Sequence, residues 1–285
     1  MAVLLVGCQK TDETPIKIGI LHSLTGTMAI SEQPVVDATL LAIEEINTEG
    51  GLLGRQLVPV ISDGQSKPSV FAGEAERLIK DEGVAVIFGC WTSASRKMVK
   101  PIVEQYENLL FYPVQYEGME LSPHIVYTGE VPSQQIIPAI SWVSTHLGKR
   151  LYLIGSDYIF PRTANWLIHK QAALLGMQIV GENHLPLGTT DFSQIVAEIA
   201  RLKPDAVINT VNGDSNLAFF KAMFEAGLKA ETTPVVSFSI GENELIGMPV
   251  EHVLGHYAAA SYFQSIDTDE NRAFIRAFKA RFGQQ

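Results

Sequence analysis

A short stretch of small and polar residues with one tryptophan carries the most chemical information in this 285-residue sequence. The stretch is GCWTSASRK, residues 89–97, and it follows an apolar run at residues 84–88. A short β-branched run that stops at glycine predicts a buried strand. The turn after such a strand exposes backbone N–H groups and hydroxyls at a sheet edge, where open α/β folds bind ligands. These residues therefore predict a site for a small polar molecule, with Trp91 as an aromatic lid.

Strands and helices alternate along the whole chain. The predicted strands are residues 17–21, 56–61, 84–88, 109–112, 151–154, 178–183, 206–210, 235–238 and 255–259. The predicted helices are residues 35–49, 69–80, 94–105, 136–147, 163–175, 192–201, 217–226 and 271–282. Alternation at this spacing indicates parallel sheets that are covered on both faces by helices.

The composition describes a folded globular protein and excludes several classes. Hydrophobic residues make up 46% of the chain and charged residues 18%. The formal charge of −10 argues against nucleic acid as a partner, because phosphates require clusters of Lys and Arg. No apolar run reaches the length of a spanning helix. The two cysteines, Cys8 and Cys90, do not provide a disulfide framework.

Two crossover segments divide the sequence. Residues 121–132, rich in Pro, Gly and polar residues, predict a first crossing, and residues 257–264 predict a return crossing. The expected units are a leader and linker at 1–15, lobe I at 16–130, lobe II at 131–256, and a return crossover with a lobe I helix at 257–285. The predicted fold is α/β, with two Rossmann-like lobes joined by a multi-strand hinge and a ligand between them.

Seven segments together resemble the type I periplasmic binding proteins of ABC importers, in the branch that binds urea and short-chain amides. They are KIGILHSLTGTMA, GGLLGR, GCWTSASRK, FYPVQYEG, GSDYIFPRT, INTVNGDSN and VVSFSIGENEL, spanning residues 17–245. GCWTSASRK with FYPVQYEG is the specific pair. Trp91 stands where the amide-sensing regulator of this fold usually has tyrosine, so the resemblance favours the urea-binding proteins.

Lobe I supplies four of the candidate ligand-binding residues. Trp91 could stack on a planar ligand or pack in the core. Ser93 could bind a ligand through its hydroxyl or N–H, and it could also cap the following helix. Tyr112 combines an apolar ring with a polar tip, and Gln115 offers both a donor and an acceptor, which suits an amide. Tyr116 belongs equally well to the site or to the packing beneath it.

Lobe II supplies the other three. The resemblance implies that Tyr158 is a lid residue, with hinge packing as the alternative. Asp214 could accept a hydrogen bond from an amide NH₂ group or cap its helix, and the resemblance favours ligand contact. Glu242 is the comparable acceptor after the following strand. We expect Asp157 to brace its loop and Glu244 to be exposed.

The electrostatics of these residues favour a neutral ligand that is rich in N–H groups. Urea has one carbonyl acceptor and four N–H donors, which suits the acceptors Asp214 and Glu242. Arg96 and Lys97 are expected on the outer, solvated face of a helix, so a ligand carboxylate would have no cation partner, and burying an unpaired charge is costly. Urea is therefore predicted first, then formamide or acetamide. Branched-chain amino acids are disfavoured without being excluded.

Catalysis and metal binding have little support. No G-x-S-x-G motif or phosphate loop occurs, and the residue three positions after Ser93 is Arg96, which cannot serve as a base. Cys90 has no histidine that pairs with it from sequence and is assigned to packing. His252 and His256 are four residues apart, but Gly255 makes a shared helical face doubtful. We expect no enzyme activity, no cofactor and no metal.

The N-terminus distinguishes transport from sensing. Residues 5–8, LVGC, followed by a polar linker, resemble a bacterial lipobox, which implies lipidation at Cys8 and a periplasmic or cell-surface location. An importer component would also contact ABC permease subunits. A cytoplasmic amide sensor of the same fold would instead start directly at the first strand. Proteins of this family continue beyond the last predicted helix, so the resemblance also implies a C-terminally truncated chain.

Overall fold

The computed structural model describes residues 14–283, which contain two five-stranded sheets. The strands of the first sheet are β1 (Ile16–His22), β2 (Leu57–Asp63), β3 (Val86–Gly89), β4 (Leu110–Tyr112) and β5 (Ile125–Tyr127). Those of the second are β6 (Arg150–Ser156), β7 (Gln178–Leu185), β8 (Ala206–Thr210), β9 (Val235–Ser237) and β10 (Tyr257–Ala258). The strand orders are β2-β1-β3-β4-β5 and β10-β9-β8-β6-β7, with parallel pairing throughout both sheets.

Helices follow most of these strands. They are α1 (Ala29–Thr48), α2 (Pro68–Lys80), α3 (Ser93–Gln105), α4 (Ile136–His146), α5 (Ile159–Leu174), α6 (Ser193–Leu202), α7 (Ser215–Glu225), α8 (Glu242–Leu245), α9 (Val250–Val253) and α10 (Asp269–Phe282). This arrangement confirms the predicted fold of two α/β lobes whose parallel sheets are flanked by helices. We call the lobe around the first sheet lobe I and the lobe around the second sheet lobe II.

Side-chain alternation in β1 shows how lobe I is built. Ile18 and Ile20 pack in one cluster with Val36 of α1. Leu21 points to the other face and packs with Leu78 of α2. The sheet therefore buries both faces near β1, as expected for a strand with helices on either side. The carboxyl ends of β1, β3 and β4 meet at one edge, and the candidate site lies there.

Helix α1 begins earlier than the sequence predicted. The prediction started at residue 35, from an apolar face whose first member is Ala38. The structure starts α1 at Ala29 and accommodates Pro34 inside it. A proline has no N–H for the carbonyl four residues before it, so the Ile30 carbonyl is left free by the helix. That carbonyl accepts a hydrogen bond from Asn243 Nδ2 of lobe II.

The segment predicted as the first crossover contains a strand that the sequence did not reveal. Strand β5 lies within residues 121–132 and completes the first sheet beside β4. Its three residues are surrounded by Pro, Gly and polar residues, which predict a connection and not a strand. The loop between β4 and β5, residues 113–124, lies against α3 and provides two of the carboxylates of the candidate site.

Two sequence features concern the ends and surface of the chain. Cys8 lies outside the described residues, so lipidation there stays a prediction. Between residues 14 and 283, no helix is both long and apolar enough to cross a membrane. Near the last described residues, α10 packs against α1, and the Arg281 guanidinium pairs with the Glu44 carboxylate at 2.9 Å.

Candidate functional site

The site is built on the turn between β3 and α3. Gly89 is required at the end of β3, because a Cβ there would lie 2.2 Å from the Leu21 carbonyl oxygen. Thr92 caps α3, accepting a hydrogen bond from the Ser95 N–H at 3.0 Å. Ser93 is therefore free of the capping role that was its alternative. Among residues 14–283, the N–H groups of Ser93 and Ala94 have no hydrogen-bond partner, as expected in a first helical turn.

The Ser93 hydroxyl is held between a carboxylate and a guanidinium group. It lies 2.5 Å from Glu117 Oε2 and 3.0 Å from Arg96 Nη1. Arg96 Nη2 donates to the other Glu117 oxygen at 2.8 Å. All three side chains are buried. The hydroxyl is thus fixed in orientation before any ligand arrives.

Arg96 corrects one of the predictions. It was expected on a solvated helix face, but it is fully buried. Its guanidinium carbon lies 4.8 Å from the ring centre of Tyr112 and 5.1 Å from that of Tyr116. The prediction failed because the loop of residues 113–124 covers this face of α3. Burial alone would lower the pKa of Arg96, but Tyr112 and the two carboxylates nearby raise it above its usual value, so the group stays charged.

Glu120 and Lys97 complete the charge balance around Arg96. Glu120 accepts from Arg96 Nε at 2.8 Å and from Lys97 Nζ at 2.7 Å. Burial opposes ionisation, but Lys97 and Arg96 together lower the pKa of Glu120 to about 2. With Glu117, the cluster holds two cations and two carboxylates. It therefore carries no net charge beside Ser93.

Two tyrosines approach the cluster from opposite lobes. Tyr112 is fully buried, and its hydroxyl donates to the Trp91 carbonyl. Tyr158 precedes α5 of lobe II, and no residue that the structure describes hydrogen-bonds its hydroxyl. Burial, reinforced by Tyr112 and Glu117, raises the pKa of Tyr158 well above its usual value. Tyr158 is therefore a protonated donor from lobe II, close enough to sense the Glu117 and Arg96 charges of lobe I.

Trp91 and Glu242 meet in a separate, mostly apolar cavity of about 440 Å³. Its walls come from α1, α8 and α10, including Pro34, Phe274 and Phe278. The Glu242 carboxylate already accepts the Gln264 N–H at 2.7 Å. The structure thus brings these two predicted residues together, in a cavity whose lining does not include Ser93, Tyr112 or Tyr158.

Gln115 and Asp214 make contacts between the lobes. Gln115 Nε2 donates to the Phe238 carbonyl at 2.9 Å. The Asp214 carboxylate accepts from the Thr27 hydroxyl, and the Asp214 N–H donates to the Thr27 carbonyl at 3.1 Å. The Asp214 side chain does not cap α7. Both residues therefore help to hold the lobes together at the edges of the cleft.

Two acidic residues were predicted to lie outside the site: Glu244 was expected to be exposed and Asp157 to brace its loop. The prediction that Glu244 is exposed was wrong: it is fully buried and accepts from the Ser31 hydroxyl of lobe I at 2.6 Å. Burial raises its pKa, against the hydrogen bonds from Ser31 and Gly241. Asp157 accepts from Arg162 Nε at 2.6 Å, which braces its loop as predicted.

A buried histidine at the end of β1 is a residue that sequence reasoning passed over. His22 Nδ1 lies 2.9 Å from Glu32 Oε2, which also accepts the Ser23 N–H at 2.8 Å. Both His22 and Glu32 are only 1% exposed. His22 Nε2 has no hydrogen-bond partner among residues 14–283. His22 is the last residue of β1, and Glu32, ten residues later, lies in the first turn of α1.

Sequence reasoning also missed Glu117 and Glu120. Glu117 belongs to FYPVQYEG, but nothing in that segment shows that it pairs with Arg96, which is 21 residues away. The only sequence signal for this ion pair was that Arg96 and Glu117, with opposite charges, both lie near predicted turns. Cys90, by contrast, is buried in the core of lobe I, and burial raises the pKa of its thiol, consistent with packing. Within the described part of the chain, no three His, Cys, Asp or Glu side chains could hold a metal ion.

The fold and the cleft define a two-lobed binding protein. A protein-family model described as periplasmic binding protein domain matches residues 16–285. The chain belongs to this family. Its relatives include Leu/Ile/Val-binding protein homolog 8 of Brucella abortus (strain 2308), 24% identical over 95% of this chain and 71% of the relative. Homolog 7 of Brucella melitensis is 24% identical over 100% of this chain and 75% of the relative.

Solved structures share the fold. The branched-chain amino acid transporter substrate-binding protein LivJ of Streptococcus pneumoniae, in complex with isoleucine, superimposes with a TM-score of 0.86 at 19% identity, covering 95% of this chain and 78% of LivJ. A solute-binding protein of an ABC transporter from Rhodopseudomonas palustris BisB5, in complex with 3,4-dihydroxybenzoic acid, also gives 0.86, at 23% identity, covering 96% and 76%. At these identities the similarity establishes the fold.

Proposed function

We propose that this protein is the extracytoplasmic solute-binding component of an ABC importer, and that it captures urea or a short-chain amide between its lobes. The importer role is supported by the family and by relatives named as transporter substrate-binding proteins. Lipidation at Cys8 and contact with permease subunits belong to the same proposal. The charges and hydrogen bonds of the site support the ligand class.

The neutral cluster around Ser93 is the observation that carries the ligand assignment. The Arg96 guanidinium forms ion pairs with the carboxylates of Glu117 and Glu120, each at an N–O distance of 2.8 Å. No cation in this cluster is left for a ligand carboxylate, and an unpaired buried charge is costly. A neutral ligand avoids this cost. Urea and small amides are neutral and present several N–H groups.

The polar groups around Ser93 match the hydrogen-bonding groups of such a ligand. The free N–H groups of Ser93 and Ala94 would donate to the ligand carbonyl oxygen, as helix N-termini do for other partially negative groups. The Ser93 oxygen would accept from a ligand NH₂ group. Tyr158 would add a third donor, from lobe II. Contacts from both lobes would favour the closed arrangement over the open one, which is the requirement for capture by closure.

Branched-chain amino-acid binding is the second candidate. It is favoured by the names of the relatives, which are Leu/Ile/Val-binding protein homologs, and by LivJ with its bound isoleucine. The same α3 N-terminus could receive an amino-acid carboxylate. A ligand ammonium group would then compete with Arg96 for Glu117.

A cytoplasmic amide sensor of the same fold would share the urea or amide ligand and differ in location.

Calorimetric titration of the purified protein distinguishes these ligands. We expect saturable binding of urea, weaker binding of acetamide and none of leucine. Ser93→Ala should weaken urea binding by roughly tenfold, because a hydrogen bond in a buried site is lost. Ser141→Ala is the matched control, since that hydroxyl bonds only within and beside α4, to the Ile137 carbonyl and Gln171. Tight leucine binding without a urea signal would refute the assignment.

A further inference from the structure

We propose that Glu117 determines the preference of this site for neutral amides over carboxylates, by fixing the Ser93 proton and by neutralising Arg96. The inference rests on the proposed function and deepens it, because it names the residue that selects the charge of the ligand. Glu117 acts here as a positioning residue, through Ser93 and Arg96.

The direction of the Ser93 proton follows from its two partners. A guanidinium group only donates hydrogen bonds and an ionised carboxylate only accepts them. At 3.0 Å from Arg96 Nη1 and 2.5 Å from Glu117 Oε2, the Ser93 hydroxyl therefore accepts from the arginine and donates to the glutamate. One lone pair of the Ser93 oxygen remains. It can accept a ligand N–H, but the hydroxyl has no proton left for a carboxylate oxygen.

The charge of the cluster depends on the same carboxylate. Without Glu117, Arg96 and Lys97 would share only Glu120, and the cluster would carry one positive charge beside Ser93. The Ser93 proton would also be released from its partner. A small anion in the cleft would then be stabilised by both changes, because buried charges favour a counter-ion.

Arg96 cannot turn away from Ser93 to relieve such an imbalance. Its guanidinium group is fully buried and lies within 5.1 Å of the ring centres of both Tyr112 and Tyr116. Its Nε is also bound to Glu120, at 2.8 Å. The positive charge therefore remains at the site when Glu117 is replaced.

Three isosteric probes test the proposal: acetamide, acetate and acetamidinium, which differ mainly in charge. Calorimetry on the wild type should detect acetamide and not acetate. In Glu117→Gln, acetamide should bind about tenfold more weakly, and acetate binding should appear. Glu120→Gln is the matched control, because it removes the same charge from Arg96 while Glu117 still holds the Ser93 proton, so acetate should bind more weakly to it than to Glu117→Gln.

A second variant covers the case in which Glu117→Gln does not fold, as judged by circular dichroism. Arg96→Gln leaves the glutamates in excess, and it should bind acetamidinium, whereas the wild type should not. A folded Glu117→Gln protein that takes up no acetate overturns the inference, even where the wild type binds amides. A wild type that binds no urea or amide refutes the proposed function, whereas acetate uptake by Glu117→Gln would still show that Glu117 keeps carboxylates out of the site.

Discussion

Two tyrosine hydroxyls have different uses in the cleft. The Tyr112 hydroxyl is bound to the Trp91 carbonyl, so it stabilises the turn that presents Ser93. The Tyr158 hydroxyl has no partner within the described range and is kept protonated by burial. A phenol hydroxyl that no protein group occupies can donate its hydrogen bond to a ligand acceptor. Tyr158 is therefore the tyrosine that a ligand would contact, and Tyr112 supports it indirectly.

His256 gives the folded protein a dependence on pH that is separate from ligand binding. Its Nδ1 accepts the Val235 N–H at 3.0 Å, so the bond requires the neutral ring. Burial, partly offset by Glu231, lowers the pKa of His256 from 6.5 to about 4. Between these values the unfolded chain binds a proton that the folded chain does not, so stability falls as pH drops through this window.

We expect the free energy of unfolding to decrease by on the order of 2 kcal/mol between pH 7 and pH 4 from this group alone. His256→Asn should remove this contribution, because the Asn carbonyl oxygen can accept the same N–H and does not titrate. Urea-free measurement is preferable because urea is the proposed ligand, so guanidinium denaturation curves at several pH values provide the readout. His146→Asn, at an exposed position, serves as control. A variant with unchanged pH dependence would contradict the assignment.

At the scale of elements, the first turns of α1 form the surface that lobe II contacts. Pro34 leaves the Ile30 carbonyl without a helical partner, and Asn243 Nδ2 donates to it at 2.5 Å. Ser31 donates to Glu244, one residue farther along α8. The proline therefore does not merely interrupt a helix: it provides an acceptor for the other lobe. These contacts contribute to closure without requiring a ligand.

Ser31→Ala tests the contribution of this contact. The change removes a hydrogen bond to a fully buried carboxylate, at a cost of about 1–3 kcal/mol to the closed arrangement. We expect weaker affinity for the solute, by roughly tenfold, together with a larger radius of gyration of the free protein in small-angle X-ray scattering.

Thr39→Ala is the matched control, since the Thr39 hydroxyl bonds only to the Val35 carbonyl within α1. It should leave both measurements unchanged. Equal affinity and equal radius for Ser31→Ala and the wild type would show that the contact between α1 and α8 does not stabilise closure.

At the scale of the whole molecule, the architecture was predictable because long apolar strands and amphipathic helices repeat at regular spacing. Strand β8 was predicted at its observed bounds, and most other elements within a few residues. Strand β5 was missed because it lies in a segment rich in Pro, Gly and polar residues, a composition that predicts a connection. The beginning of α1 was missed because its apolar face was recognised only from Ala38 onward, and a proline inside the helix gives no sign that the helix extends before it.

The candidate site was less predictable for a different reason. Residues at strand ends, such as Ser93 and Tyr158, can be located from the alternation of elements. The pairing of Arg96 with Glu117 and Glu120 depends on how an irregular loop folds over α3, and no local pattern determines that. The burial of Glu244 likewise depends on contact between the lobes. Ion pairs between a loop and a helix therefore cannot be predicted from local sequence patterns.

The placement of the tryptophans has an optical consequence. The chain has three, and Trp91 lines the cavity shared by α1, α8 and α10, whereas Trp142 stacks on His146 at 4.6 Å and Trp166 is 52% exposed. Replacing Trp142 and Trp166 by phenylalanine would leave a single emitter beside the cleft. Its emission should shift to shorter wavelength as a solute closes the lobes and expels water. An unshifted spectrum at saturating solute would mean that this cavity does not change on closure.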